Sequence, residues 1–60
     1  MMIKLKHNSM KIHKDGYDYE IPQDVIEPMI VGENVYLYLS DKWRLVTTID
    51  KLAKDFEIYE

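Results

Sequence analysis

Lys11-Ile12-His13-Lys14-Asp15-Gly16-Tyr17-Asp18-Tyr19-Glu20 decides how the chain folds back on itself. Asp-Gly between two alternating segments favours a two-residue hairpin, because a type I′ turn needs positive φ at both central residues. The register follows at once. Lys14 faces Tyr17, His13 faces Asp18, Ile12 faces Tyr19, Lys11 faces Glu20 and Met10 faces Ile21. Side chains alternate across a strand, so Met10, Ile12, Tyr17, Tyr19 and Ile21 share one face. The other face pairs His13 with Asp18 and Lys11 with Glu20. A slip of one residue would drive charges into the core, so the pairing is well specified.

Upstream, Asn8-Ser9 is a weaker turn signal. It sets Leu5 against Ile12 and Ile3 against Lys14, so the first 21 residues read as a three-stranded meander. Downstream, Pro22 to Glu27 reads as a short helical turn. Pro22 suits a first helical position, and Pro28 disfavours helix in the residue before it. Met29 to Asn34 reads as a connecting loop. Val35-Tyr36-Leu37-Tyr38-Leu39 alternates cleanly, Ser40-Asp41-Lys42 is a polar turn, and Trp43 to Thr48 resumes a strand. A three-residue loop opposes Leu39 to Trp43, Leu37 to Leu45 and Val35 to Thr47, leaving Tyr38 with Arg44 and Tyr36 with Val46 on the reverse face. Ile49, Leu52, Ala53, Phe56 and Tyr59 fall on one helical stripe. Acid–base pairs at i, i+4 join Asp50 to Lys54 and Lys51 to Asp55. Thr47 with Asp50 resembles a capping signature. These features predict a helix over about 48–56, with the strand-like Phe56-Glu57-Ile58-Tyr59 open between helix and strand.

Sixty residues without cysteine make one domain, 1–60, with no disulfide or thiolate chemistry. A chain of this size hides only about 60% of its unfolded surface, so a second copy is an expected source of stability. No apolar run approaches the ~20 residues of a membrane span, and the start lacks the apolar core of a signal peptide. A cytoplasmic protein is the default expectation. The net charge of −3 conceals a segregation: residues 1–14 carry Lys4, Lys6, Lys11 and Lys14 with no acid, while 15–39 carry six acids with no base. In the meander these blocks neutralise each other.

Little of this supports catalysis. His7 and His13 point to opposite faces and are poor joint metal ligands. His13 beside Asp18 imitates an oriented base, but no nucleophile stands in position to use it. The acids lie on a turn and an open strand, where no cleft raises a pKa. The reading is non-enzymatic, with no cofactor and no metal. An acidic isoelectric point near 5.2 is the reverse of the nucleic-acid footprint. Two surfaces remain for a protein partner. One is the reverse face of the second hairpin, Tyr36, Tyr38, Arg44 and Val46, whose make-up matches interaction hot spots. The other is the acidic middle, Asp18, Glu20, Asp24 and Glu27, which could present a nucleic-acid-like charge row to a basic protein.

From Met10 to Val46 the chain also resembles the AbrB-type swapped-hairpin domain. The order is a strand, a glycine, a strand ending in Ile21-Pro22, a short helix, Gly32-Glu33, then Val35 to Leu39, a polar turn and a last strand. The resemblance implies an intertwined homodimer that binds DNA as a transcription regulator or antitoxin. Tyr17-Asp18-Tyr19-Glu20 is acidic where that family is basic. The second hairpin is similar, too, to small Tudor- or Src-homology-like barrels. The expected fold is α+β: a small antiparallel sheet or barrel of about five strands, with a short helical turn and a C-terminal helix. The expected function is a small acidic protein-binding regulator or inhibitor of a bacterial protein, of the accessory kind found in bacteria and their phages. The competing expectation is the dimeric AbrB-like DNA-binding regulator.

Overall fold

The computed structural model describes all 60 residues. Strands β2 (Lys11–Lys14) and β3 (Tyr17–Glu20) form the first hairpin in the expected register, Lys11 opposite Glu20 through Lys14 opposite Tyr17. Asp15 (φ 52°) and Gly16 (φ 81°) make the type I′ turn. The Ile21 N–H donates to the Met10 carbonyl at 2.8 Å, carrying the pairing one step further. Ile12 and Tyr19 pack against the core, whereas His13 and Asp18 stand in solvent.

The meander does not form. Strand β1 (Met2–Leu5) instead pairs antiparallel with β7 (Phe56–Tyr59) at the far end of the chain, Leu5 opposite Phe56 and Lys4 opposite Glu57. Charge explains the choice. Continuing the register through Asn8-Ser9 would have opposed Lys6 to Lys11 and Ile3 to Lys14, and like charges directly opposite are destabilising. Against β7, Lys4 meets an acid, and Ile3, Leu5 and Phe56 are all buried.

Nor does Pro22–Glu27 form a helical turn. The segment bends at Gln23-Asp24 and is extended only toward Ile26, which bridges to Ile3 through two backbone hydrogen bonds of 2.8 Å. Strand β1 is therefore hydrogen-bonded on both sides. Gln23 secures the crossing, its amide donating to the carbonyls of His7 and Asn8. Met29–Val31, expected as loop, is strand β4, paired with β5 (Asn34–Leu39) across Gly32-Glu33. Gly32 alone has positive φ (61°) in this turn, which is the type II′ pattern with glycine first.

The hairpin of β5 with β6 (Lys42–Thr48) also departs from expectation. Its turn has two residues, not three: Ser40 (φ 50°) and Asp41 (φ 69°) both adopt the left-handed conformation without a glycine. Leu39 pairs with Lys42, Tyr38 with Trp43, Leu37 with Arg44 and Tyr36 with Leu45. The register then shifts, so Val35 meets Thr47 and Val46 is the extra residue of a β-bulge. The bulge turns Val46 inward, where it packs on the core.

Helix α1 (Ile49–Asp55) follows, within a residue of its expected span, with Thr48 rather than Thr47 at the N-cap. Its only buried residue is Leu52. The Lys6 ammonium donates to the Ala53 carbonyl at 2.7 Å, placing a cation near the helix C-terminus. Phe56–Tyr59 is strand, which closes the open question about the last residues. The molecule is thus mostly β rather than α+β: seven strands in three small sheets around one short helix, without a closed barrel. Ile3, Leu5, Ile21, Val35, Leu37, Leu39, Leu52 and Phe56 form the core, drawn from all three sheets and the helix. No helix is long and apolar enough to cross a membrane.

Candidate interaction face

The β4–β5–β6 sheet has two faces of different character. Inward point Val35, Leu37 and Leu39, all buried. Outward, by alternation and pairing, point Met29 and Val31 from β4, Asn34, Tyr36 and Tyr38 from β5, and Trp43, Leu45 and Thr48 from β6. None of these eight is charged. Tyr38 is 58% exposed, Val31 55%, Trp43 45% and Leu45 37%. The Tyr38 and Trp43 rings meet edge-to-face at 5.4 Å and 72°, an arrangement their quadrupoles favour.

The structure separates residues that the sequence had grouped. Tyr36 and Tyr38 lie on the outer face as expected, but Arg44 and Val46 do not. A two-residue turn shifts the outer half of β6 by one position relative to a three-residue loop, so Trp43 and Leu45 take the outer places. Arg44 points inward opposite Leu37. Its guanidinium lies 3.9 Å above the Tyr19 ring, its Nε donates to the Leu39 carbonyl at 3.0 Å, and its Nη1 is 3.7 Å from Asp15 Oδ2. Trp43, Leu45, Met29 and Val31 were missed as surface. The adjacent pair Leu45-Val46, breaking the alternation of β6, was the available signal of a bulge.

The acidic residues are dispersed. Asp18 accepts a hydrogen bond from the His13 ring at 2.7 Å. Glu20 lies opposite Lys11, and Asp24 and Glu27 sit exposed in the 22–27 segment. No three acidic or histidine side chains converge as a metal would require. His7 contacts Asp55 at 3.0 Å beside the end of α1, far in the chain from the His13–Asp18 pair. The one surface depression is lined only by Glu33, Ile49 and Asp50. Beside it the Thr48 hydroxyl donates to the Asp50 carboxylate, which holds that carboxyl below its usual 3.8. In β7 the Tyr59 hydroxyl donates to Glu57 at 2.7 Å, raising the phenol above its usual 10.0.

Exposed aromatic and aliphatic groups held on a paired sheet can exclude water against an apolar counterpart without any rearrangement of the backbone. The β1–β7 ladder also exposes Met2, Ile58 and Tyr59, but the outer face of β4–β5–β6 gathers such groups from three strands. No family model, curated protein or solved structure matches the chain.

Proposed function

We propose that this chain acts by binding protein, as a small regulator or inhibitor of a bacterial protein, and that the outer face of β4–β5–β6 is its contact surface. One observation carries the reading: the exposed Tyr38–Trp43 pair near the Ser40-Asp41 turn, at one end of a face whose eight outward residues carry no charge. Aromatic residues are enriched at interface hot spots, and charged residues are depleted at interface centres. The four most exposed apolar side chains of the face present roughly 400 Å², the size of patch that marks an interaction site on a small monomer. The net charge of −3 adds long-range attraction for a basic partner but does not define the patch.

Trp43 is the only tryptophan, so its fluorescence reports on this surface alone. The test places a photo-crosslinking amino acid at Tyr38 or at His13, on the first hairpin, and exposes each variant to bacterial lysate. A discrete adduct from position 38, absent from position 13 and lost in Leu45→Lys, supports the reading. Equal labelling from both positions, or adducts indifferent to Leu45→Lys, overturns it. Titration with duplex DNA gives the counter-outcome: binding with a steep negative salt dependence would assign the chain to nucleic acid instead.

A further inference from the structure

We infer that, when no other protein occupies it, the outer face of β4–β5–β6 closes on the same face of a second copy of this chain, so that a foreign partner must displace a self-contact. The inference rests on the reading of this face as a protein-contact surface. Three observations favour a second copy as the resident occupant.

The first is charge. In a two-fold interface each patch meets itself, so a charged side chain near the axis would meet its like. The eight outward residues carry none, although the chain as a whole carries eight basic and eleven acidic residues.

The second is area. A biological interface needs about 1,000 Å² in total, and a standard one has about 800 Å² on each side. Roughly 400 Å² from Val31, Tyr38, Trp43 and Leu45 supplies the apolar centre of such a side. The half-buried Met29 and Tyr36 widen it, and Asn34 and Thr48 supply polar groups at one end. Two copies bury about 800 Å² through these four side chains and approach the 1,000 Å² threshold with the half-buried ones, which fits a weak contact that exchanges.

The third is the smallness of the core. Only eight residues of 60 are buried, and all of them lie inward of the outer face. Two three-stranded sheets packed face to face, about 10 Å apart, would make a sandwich in which β5 is covered on both sides. Such packing would take the apolar outer side chains of both sheets out of water.

Sedimentation velocity of the full chain, from about 1 µM to about 1 mM, tests the inference, with Trp43 emission followed over the same range. The expected result is a mass rising from 7.2 kDa to twice that value. Trp43 emission should shift to the blue with the same midpoint. Leu45→Lys and Val31→Lys, both at exposed positions, should each raise that midpoint about tenfold or more while leaving the far-ultraviolet dichroism unchanged. His13→Ser should leave it where it is. A single-chain mass throughout overturns the inference, as does a dimer indifferent to both lysine variants. A monomer that still crosslinks a foreign protein through position 38 would remove the self-contact and leave the protein-binding reading standing. A dimer with no such crosslink would do the reverse.

Discussion

Arg44 is 10% exposed, and its contacts with Tyr19 and Asp15 tie the β2–β3 hairpin to the β5–β6 hairpin, while its bond to the Leu39 carbonyl braces β5–β6 itself. Arg44→Lys keeps the charge but loses the planar group that stacks on Tyr19 and the Nε–H that reaches the Leu39 carbonyl. Urea denaturation should show a loss of about 1–2 kcal/mol. Asp15 is 76% exposed at the carboxylate, so Asp15→Asn should leave stability nearly unchanged. At the Ser40-Asp41 turn, two side-chain-bearing residues occupy the left-handed region. Replacing them with Asn-Gly suits that backbone better and should stabilise by about 1 kcal/mol, visible as a Tm higher by roughly 4–8 °C. Asp50 has a folded pKa below 3.8 because the Thr48 hydroxyl donates to it. Its contribution to stability is complete above that value and disappears as pH falls through the folded one. Thr48→Val should raise the Asp50 titration midpoint toward 3.8, followed by carboxyl carbon shifts in NMR.

At the scale of elements, β7 is the part on which the fold depends most for its length. Phe56 is 1% exposed and opposes Leu5 across the β1–β7 ladder. Phe56→Ala should remove about 3–5 kcal/mol, a large share of the stability of so small a domain, and amide exchange should rise first in β1. The first hairpin was legible from its own residues, since Asp15-Gly16 and the alternation on either side specify the same register. The span of helix α1 was legible, but of its expected stripe only Leu52 is both helical and buried; Ile49 and Ala53 are exposed, and Phe56 and Tyr59 belong to β7. Strand β4 was not: Met29-Ile30-Val31 is three residues with no alternation to read, and only Gly32-Glu33 hinted at a turn. Of the candidate surface, Tyr36 and Tyr38 were legible because β5 alternates without interruption. Trp43 and Leu45 were assigned to the wrong face because turn length, which sets the phase of β6, lacked its usual glycine.

For the whole molecule, β1 and β7 meet in one ladder although they are far apart in sequence, so β1 forms that pairing only once β7 is in place. Such long-range closure is slow relative to hairpin formation, which makes the two hairpin regions the natural first structures. Association through the outer face has a thermodynamic signature of its own. Whatever binds only the native state raises its stability by mass action, so Tm should rise with protein concentration in the parent chain and stay flat in Leu45→Lys, as differential scanning calorimetry would show.

By itself the amino-acid order determined the Asp15-Gly16 hairpin and its cross-strand charges, the alternation of β5 and the approximate span of α1. These are matters of φ preference and neighbour spacing, settled within about ten residues. Tertiary structure alone decided that β1 joins β7 rather than β2, that Ile26 closes its other edge, and that a bulge at Val46 returns β6 to phase. In each case several pairings were locally acceptable, and the choice fell to the one that buries Ile3, Leu5 and Phe56 together, with Val46 packed against them, without opposing like charges.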